Sequence, residues 1–517
     1  MRKLYRFLFS RYTLSAIVIL LSLGLMWAFL SFMSAYSFFF YILLTVVDVL
    51  VVVAIINREA NPEYKLPWLF IALIVPVFGA VLYIIFYSRK LSAKETKLLR
   101  KIHVLASAAS SRVHAEKQEE NLALLSEESE MALGKVRAIL TGDPSAELYR
   151  CTESRYYPLG ELMYKDMLSD IENAKKYIFL EYFIIEEGVM WGGILEGLRK
   201  KANEGVDVRV LYDDIGCMKT LPARFPKTLE ELGIKCRRFA EVTPRVSAMH
   251  NNRDHRKILA IDGRIAYTGG INIADEYINE VERFGHWKDG GVRVFGDAAV
   301  GFTKLFLSAW DFTVGCVSNY SDYFEPNRGS FSADGGFYVP FGTGPMPIYS
   351  RPVGKDIIIN LINQAERYVY ITTPYLIIDY ALTDAFKCAA QRGVDVRIVT
   401  PAIPDKKNIK VMTKSSYPNL MESGVRIFEY LPGFIHEKVM VVDDLYAVVG
   451  TINLDYRSLV HHFEDGLWMY NTETVIRIKE EFVNTVSVCD EIDGEEAKLT
   501  FSEGLMKVLI RLFAPLL

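Results

Sequence analysis

Between residues 12 and 47 no charged side chain interrupts the sequence, and apart from Asp48 the apolar run continues to Ile56. About 45 residues of this kind are twice the ~20 that one helix needs to cross a bilayer. The pattern predicts two spans, near residues 12–32 and 37–56, hinged at 31–37. A third apolar segment covers residues 66–87 and contains Pro76 and Gly79, which membrane helices tolerate. A cleaved leader fits poorly, because the segment is too long and no small-residue cleavage site follows it. Arg2, Lys3, Arg6 and Arg11 precede this head, and Arg89, Lys90, Lys94, Lys97, Arg100 and Lys101 follow it. Such clusters favour the cytoplasmic side, yet three full spans would put them on opposite sides. Either one segment is re-entrant or one cluster departs from the rule, so two and three spans both stay open.

Residues 92–140 are rich in Ala, Glu, Lys, Leu and Ser and lack Pro, which predicts a polar helical connector. Beyond it the pattern repeats. Residues 176–185 are a run of strand formers, followed by a helical pattern and by Gly205-Val206-Asp207-Val208-Arg209. Residues 367–375 are again strand formers, followed by a helical pattern through Ala390 and by Gly393-Val394-Asp395-Val396-Arg397. Repeated strand–helix–strand units predict an α/β body of two mixed β-sheets flanked by helices and related by a pseudo-twofold axis. The expected organisation is an anchor over 1–91, a connector over 92–140, a first half over 141–330 and a second half over 331–498. In the remaining stretch, 499–517, Glu503, Lys507 and Arg511 recur at helical spacing. That leaves a broad oily face, as in a helix lying in a membrane interface.

Charge sharpens this picture. Residues 1–101 carry 12 Lys and Arg against 4 Asp and Glu, whereas the rest of the chain carries 47 against 59. A basic, greasy head on an acidic body argues for a membrane-anchored domain and against a nucleic-acid binder. The six cysteines are scattered, with no zinc-type spacing and no sign of a disulfide framework.

Each half also contains H-x-K-x4-D-x6-G-x2-N. The first copy is His255, Lys257, Asp262, Gly269 and Asn272; the second is His436, Lys438, Asp443, Gly450 and Asn453. Both histidines enter segments with strand patterning, where positions i and i+2 share a face, so each His and Lys project together. Two sets facing across a twofold put two imidazoles, two ammonium groups and two amides around one point. That constellation suits a phosphodiester: Lys257, Lys438, Asn272 and Asn453 hold the oxygens. One histidine attacks phosphorus and the other exchanges protons with the leaving and incoming alcohols. No metal and no cofactor is called for; His461-His462 beside Glu464 reads as a packed polar loop. Met249-His250-Asn251-Asn252-Arg253 reads as a loop at the site mouth.

The duplicated motif resembles the phospholipase D superfamily, and the chain as a whole is similar to bacterial cardiolipin synthases of that type. The resemblance implies a duplicated phospholipase D-type domain in a multi-pass protein of the cell membrane. It implies phosphatidyl transfer between two phosphatidylglycerol molecules, giving cardiolipin and glycerol. His255, Lys257, Asp262, His436, Lys438 and Asp443 take the signature catalytic positions, with His255 as the nucleophile and His436 as the acid. Asp262 and Asp443 fit a turn-forming role equally well. The resemblance and their position mark Asp289 as the orienting carboxylate of His255, and Glu464 as that of His436. A hydrolase, or a transferase using another donor or acceptor alcohol, is the alternative. A nuclease is disfavoured by the acidic body, and an inert scaffold by two unbroken motifs.

Overall fold

The computed structural model describes residues 20, 23–24, 26–27, 37–58, 61–87, 92–143, 145–241, 252–324, 335–346 and 348–513. Most of the span expected at 12–32 and most of the mouth loop lie outside these residues. The chain divides into two compact units, a head reaching to Arg89 and a body beginning at Lys90.

In the head, α1 covers Ser37–Asn57, α2 Pro62–Ile74 and α3 Phe78–Tyr87. The segment expected as one span at 66–87 is therefore broken. Pro76 has no N–H to continue a helix, and Val77 sits at φ 66°. The freed N–H of Val77 donates to Asp48 Oδ1 at 2.7 Å, so the single charge inside the long apolar run caps the break. Trp68 and Tyr83 would lie about 22 Å apart along an unbroken helix, but their rings meet at 5.6 Å. The chain therefore doubles back, and α2 and α3 form a hairpin. Among the described residues no helix is long and apolar enough to cross a membrane; the described side chains of α1 run unbroken only from residue 41 to 57.

The body holds two mixed sheets of matching order. In the first, β1 (Thr152–Tyr157), β8 (Gly291–Gly296), β6 (Ile265–Gly269), β5 (Lys257–Ile261), β2 (Tyr177–Tyr182), β3 (Asp207–Asp213) and β4 (Lys235–Phe239) lie side by side. In the second, β9 (Phe337–Thr343), β18 (Glu464–Tyr470), β16 (Tyr446–Gly450), β15 (Val439–Val442), β10 (Tyr368–Thr372), β12 (Asp395–Pro401) and β13 (Arg426–Tyr430) follow the same order, with β19 (Cys489–Glu491) added at the edge. In both, the strand–helix–strand units make parallel pairs, β2 with β3 and β10 with β12, and the motif strands β5 and β15 run antiparallel beside them.

Strand alternation divides the core. Ile258 and Ala260 of β5, with Val439 and Val441 of β15, enter one central cluster. Leu259 and Ile261 pack on the outer face of the first sheet, and Met440 and Val442 on that of the second. The helix Ala299–Val314 fills the centre with Phe302, Phe306 and Trp310. The expected connector is helical, as α4 (Ala93–Glu128) and α5 (Glu130–Gly142). It is also part of the body: Ile102, Ala106 and Ala109 join the central cluster, and Leu133, Val136 and Ile139 the outer one. A helix covers Phe501–Phe513, with Phe501 and Val508 exposed.

Candidate active site

Because β5 and β15 run antiparallel to β2 and β10, their first residues meet the C-terminal ends of the parallel strands. Lys257 opens β5 opposite Tyr182, the last residue of β2, and His255 lies two residues earlier. Lys438 and His436 stand likewise before β15. The segments that deliver the histidines do not end in their own sheets. β14 (Gly433–Ile435) pairs in parallel with β7 (His286–Lys288) of the other half, and Asp254 bridges to Phe463. His436 N donates to Lys288 O at 2.7 Å, and His255 N donates to Phe463 O at 2.8 Å.

The next residue in each partner segment carries the carboxylate. His255 Nδ1 bonds Glu464 Oε2 at 2.8 Å, and His436 Nδ1 bonds Asp289 Oδ2 at 2.6 Å. Both expected orienting residues are at the site, but the expected pairing is reversed: each carboxylate serves the histidine of the opposite half. The exchange of strands across the pseudo-twofold is the physical reason.

All four motif side chains are buried at this point. Lys257 Nζ donates to His255 O at 2.7 Å, and Lys438 Nζ to His436 O. Burial lowers Lys257 to about 8 against the pull of Glu464, Asp465 and Asp289, and lowers Lys438 to about 7 against that of Asp289. Burial also lowers His255 to about 3 and holds His436 well below its usual value, the latter helped by the Lys438 and Lys257 charges. Both imidazoles are thus neutral, with the Nδ1 hydrogen on the carboxylate side and the Nε2 lone pair free.

The two carboxylates differ. Burial alone would raise Glu464, but His255 and His462 beside it hold it well below the carboxylate range. Burial pushes Asp289 up to about 7 despite Lys438 and Lys257. Thr451 also donates its hydroxyl to Glu464 Oε2. Gly270, at the matching position of the first motif, has no side chain to offer Asp289. A Cβ there would lie 2.0 Å from Asp289 Oδ1.

The motif aspartates are not at the site. Asp262 accepts from the N–H groups of Lys175, Lys176 and Tyr177 at 2.7–2.8 Å. Asp443 accepts from those of Glu366, Arg367 and Tyr368 at 2.8–2.9 Å. Each lies past the far end of its strand, roughly 20 Å of extended chain from its histidine, and clamps the entry to β2 or β10. Of the two roles expected for Asp262 and Asp443, these bonds fit the turn-forming, structural one.

Asn272 is also engaged: its Oδ1 accepts from Ile184 N at 3.1 Å and its Nδ2 donates to Tyr277 Oη at 2.8 Å. These bonds tie it to the strand-end loop. Asn453 keeps a buried Oδ1 without a hydrogen-bond partner.

Several neighbours escaped the sequence reading. Tyr277, Trp287 and Phe434 surround His436 with ring centroids at 5.6, 5.7 and 5.8 Å, and Phe183 stands edge-on to His255 at 4.9 Å. Asp465 accepts from Lys257 N at 3.2 Å and from the Thr268 hydroxyl. Only its place directly after Glu464 could have drawn attention to it. The fold also assembles a candidate ligand set where the sequence reading had a packed polar loop. His462 and Glu464 are joined by His255, and their donor atoms lie within 4.8 Å of one another. The third member comes from the other half, so no local spacing announces it.

Comparison with known proteins agrees with this architecture. The family model described as "Cardiolipin synthase, PLD-like domain" matches residues 167–282 and 358–486, and a "Phospholipase D-nuclease N-terminal" model matches 46–86. A cardiolipin synthase of Halalkalibacterium halodurans is 30% identical over 482 residues, covering 92% of this chain and 94% of the relative. One of Staphylococcus aureus is 31% identical over 467 residues, covering 88% and 92%. An uncharacterized protein of Streptococcus mutans is 40% identical over 467 residues, covering 90% and 99%. In fold, the phosphatidylserine synthase of Haemophilus influenzae superposes with a TM-score of 0.57 at 15% identity, covering 74% of this chain and 98% of that one. The chain belongs to the phospholipase D-like cardiolipin synthase family.

Proposed function

From that membership we propose that this protein transfers a phosphatidyl group between two phosphatidylglycerol molecules, forming cardiolipin and releasing glycerol. The observation that carries the reading is the crossed pair of His–carboxylate bonds with both lysines beside them. Lys257 and Lys438 take the phosphodiester oxygens and stabilise the charge that grows on them in the transition state. The Asp289–His436 pair takes up one proton from solvent as the lipid binds; His255 Nε2 then attacks phosphorus, the P–O bond to the glycerol headgroup breaks, and His436 gives that oxygen the proton from Nε2. The phosphatidyl group then rests on His255. His436, now neutral, takes the proton of the second lipid's hydroxyl, whose oxygen attacks phosphorus and releases His255.

The assignment of His255 as nucleophile follows from the unequal carboxylates. A phosphorylated imidazole carries positive charge, and the ionised Glu464 faces it. Asp289, pushed up to about 7, stabilises an imidazolium less and suits a histidine that must give its proton away.

The head serves as the membrane anchor in this reading. Two spans near 12–32 and 37–56 followed by the α2–α3 hairpin would bring both basic clusters to the cytoplasmic side. The re-entrant alternative thus removes the conflict over orientation. The deciding experiment incubates the full-length protein with phosphatidylglycerol vesicles and chelator, resolving lipids by mass. Cardiolipin with glycerol, absent in His255→Ala and His436→Ala, is expected. Phosphatidic acid alone would make the protein a hydrolase.

A further inference from the structure

His462 stands where the other half has a tryptophan. Counting back two residues from each orienting carboxylate gives His462 before Glu464 and Trp287 before Asp289. Each ring packs beside a motif histidine: Trp287 lies 5.7 Å from His436, and His462 lies 5.6 Å from His255. Packing alone is met by an indole, so the imidazole adds something else, a buried nitrogen donor. His462 Nδ1 has no hydrogen-bond partner, and neither has Glu464 Oε1. The two atoms are 3.8 Å apart, and both residues are more than nine-tenths buried. Buried polar atoms rarely stay unpaired, and at this separation a proton on Nδ1 or a cation shared between the two would satisfy both.

We propose that His462, Glu464 and His255 form a site for one divalent transition-metal ion of zinc type, and that occupation switches the enzyme off. Two nitrogens and a carboxylate oxygen are the donor set such ions take, with room for a fourth ligand. Tetrahedral bonds of about 2.0–2.2 Å place ligand atoms roughly 3.3–3.6 Å apart; His462 and Glu464 stand at 3.8 Å and all three donor atoms within 4.8 Å of one another, so side-chain rotation has to draw the set together. Coordination takes the Nδ1 lone pair of His255, and the Nδ1 proton is released to solvent. With a dication on Nδ1, Nε2 is a poorer nucleophile and a phosphorylated, positive ring is disfavoured.

The inference shares His255 with the reading above, but its first test needs no lipid chemistry. Metal-stripped full-length protein in detergent micelles is titrated with Co2+. A visible tetrahedral-type band saturating at one ion per chain is expected. Zn2+ is expected to suppress lipid turnover, and chelator to restore it. His462→Ala, and His462→Trp, which keeps the packing of the other half, should abolish the band. Relative to each variant's own metal-free rate, they should also weaken zinc inhibition at least about tenfold. No cobalt band in the wild type, or a band and zinc response kept in both variants, would overturn the site. If the protein turns over no lipid, the cobalt result still decides this question while the functional reading fails separately.

Discussion

Glu464 of the second half holds His255 of the first half through a 2.8 Å hydrogen bond to Nδ1. Asp289 of the first half does the same for His436 of the second at 2.6 Å. Neither half owns a complete acid–base pair, so the site exists only where the two sheets meet.

Exchanging one carboxylate oxygen for an amide should therefore impair the histidine of the other half. Glu464→Gln is expected to slow formation of the phosphatidyl-enzyme by about 10²–10⁴-fold. Asp289→Asn should slow that step less, through weaker protonation of the leaving glycerol, and should also slow discharge to the second lipid's hydroxyl. Rapid-quench trapping of labelled enzyme separates the two. Equal effects of both variants on trapping would remove the proposed division of labour.

The motif aspartates should behave as structural residues. Asp262→Asn and Asp443→Asn each weaken three backbone N–H bonds at a strand entry. A cost of about 1–3 kcal/mol in stability is expected for each, seen as a lower Tm. Turnover per folded molecule should stay close to wild type. A large loss in kcat with unchanged Tm would return these residues to the chemistry.

Gly270 leaves space that Asp289 occupies. In Gly270→Ala the new Cβ falls 2.0 Å from Asp289 Oδ1, so the carboxylate must shift from His436. A displacement of about 1 Å typically costs about 10²-fold in rate. The measurement is kcat alongside circular dichroism, which should stay native. Full activity in this variant would show that Asp289 does not orient His436.

The pH dependence follows from the lysines. Lys438 is lowered to about 7 and Lys257 to about 8 by burial. Both are charged below these values and lose that charge as pH rises. In the free enzyme kcat/KM for an anionic lipid should fall on the alkaline side of about pH 7–8. Lys438→Arg, which keeps its charge, should move this limb upward even where its rate is lower. A limb unmoved by the change would place its origin elsewhere.

The sequence by itself determined the duplication, the α/β class and the histidine–lysine pairs. Those features are local: strand alternation puts His255 with Lys257 and His436 with Lys438 on one face, and repeated strand–helix–strand patterning sets a matching sheet order. It also marked Asp289 and Glu464 as the carboxylates. It could not say which histidine each one meets, because the partners lie 209 and 147 residues apart and periodicity carries no information about strands exchanged across a twofold. The roles of Asp262 and Asn272 were hidden for the same reason. The backbone groups and Tyr277 hydroxyl that occupy them become neighbours only once the strand ends are packed. Tertiary structure alone also turned one apolar segment into a hairpin, since Asp48 caps Val77 only after two helices lie side by side.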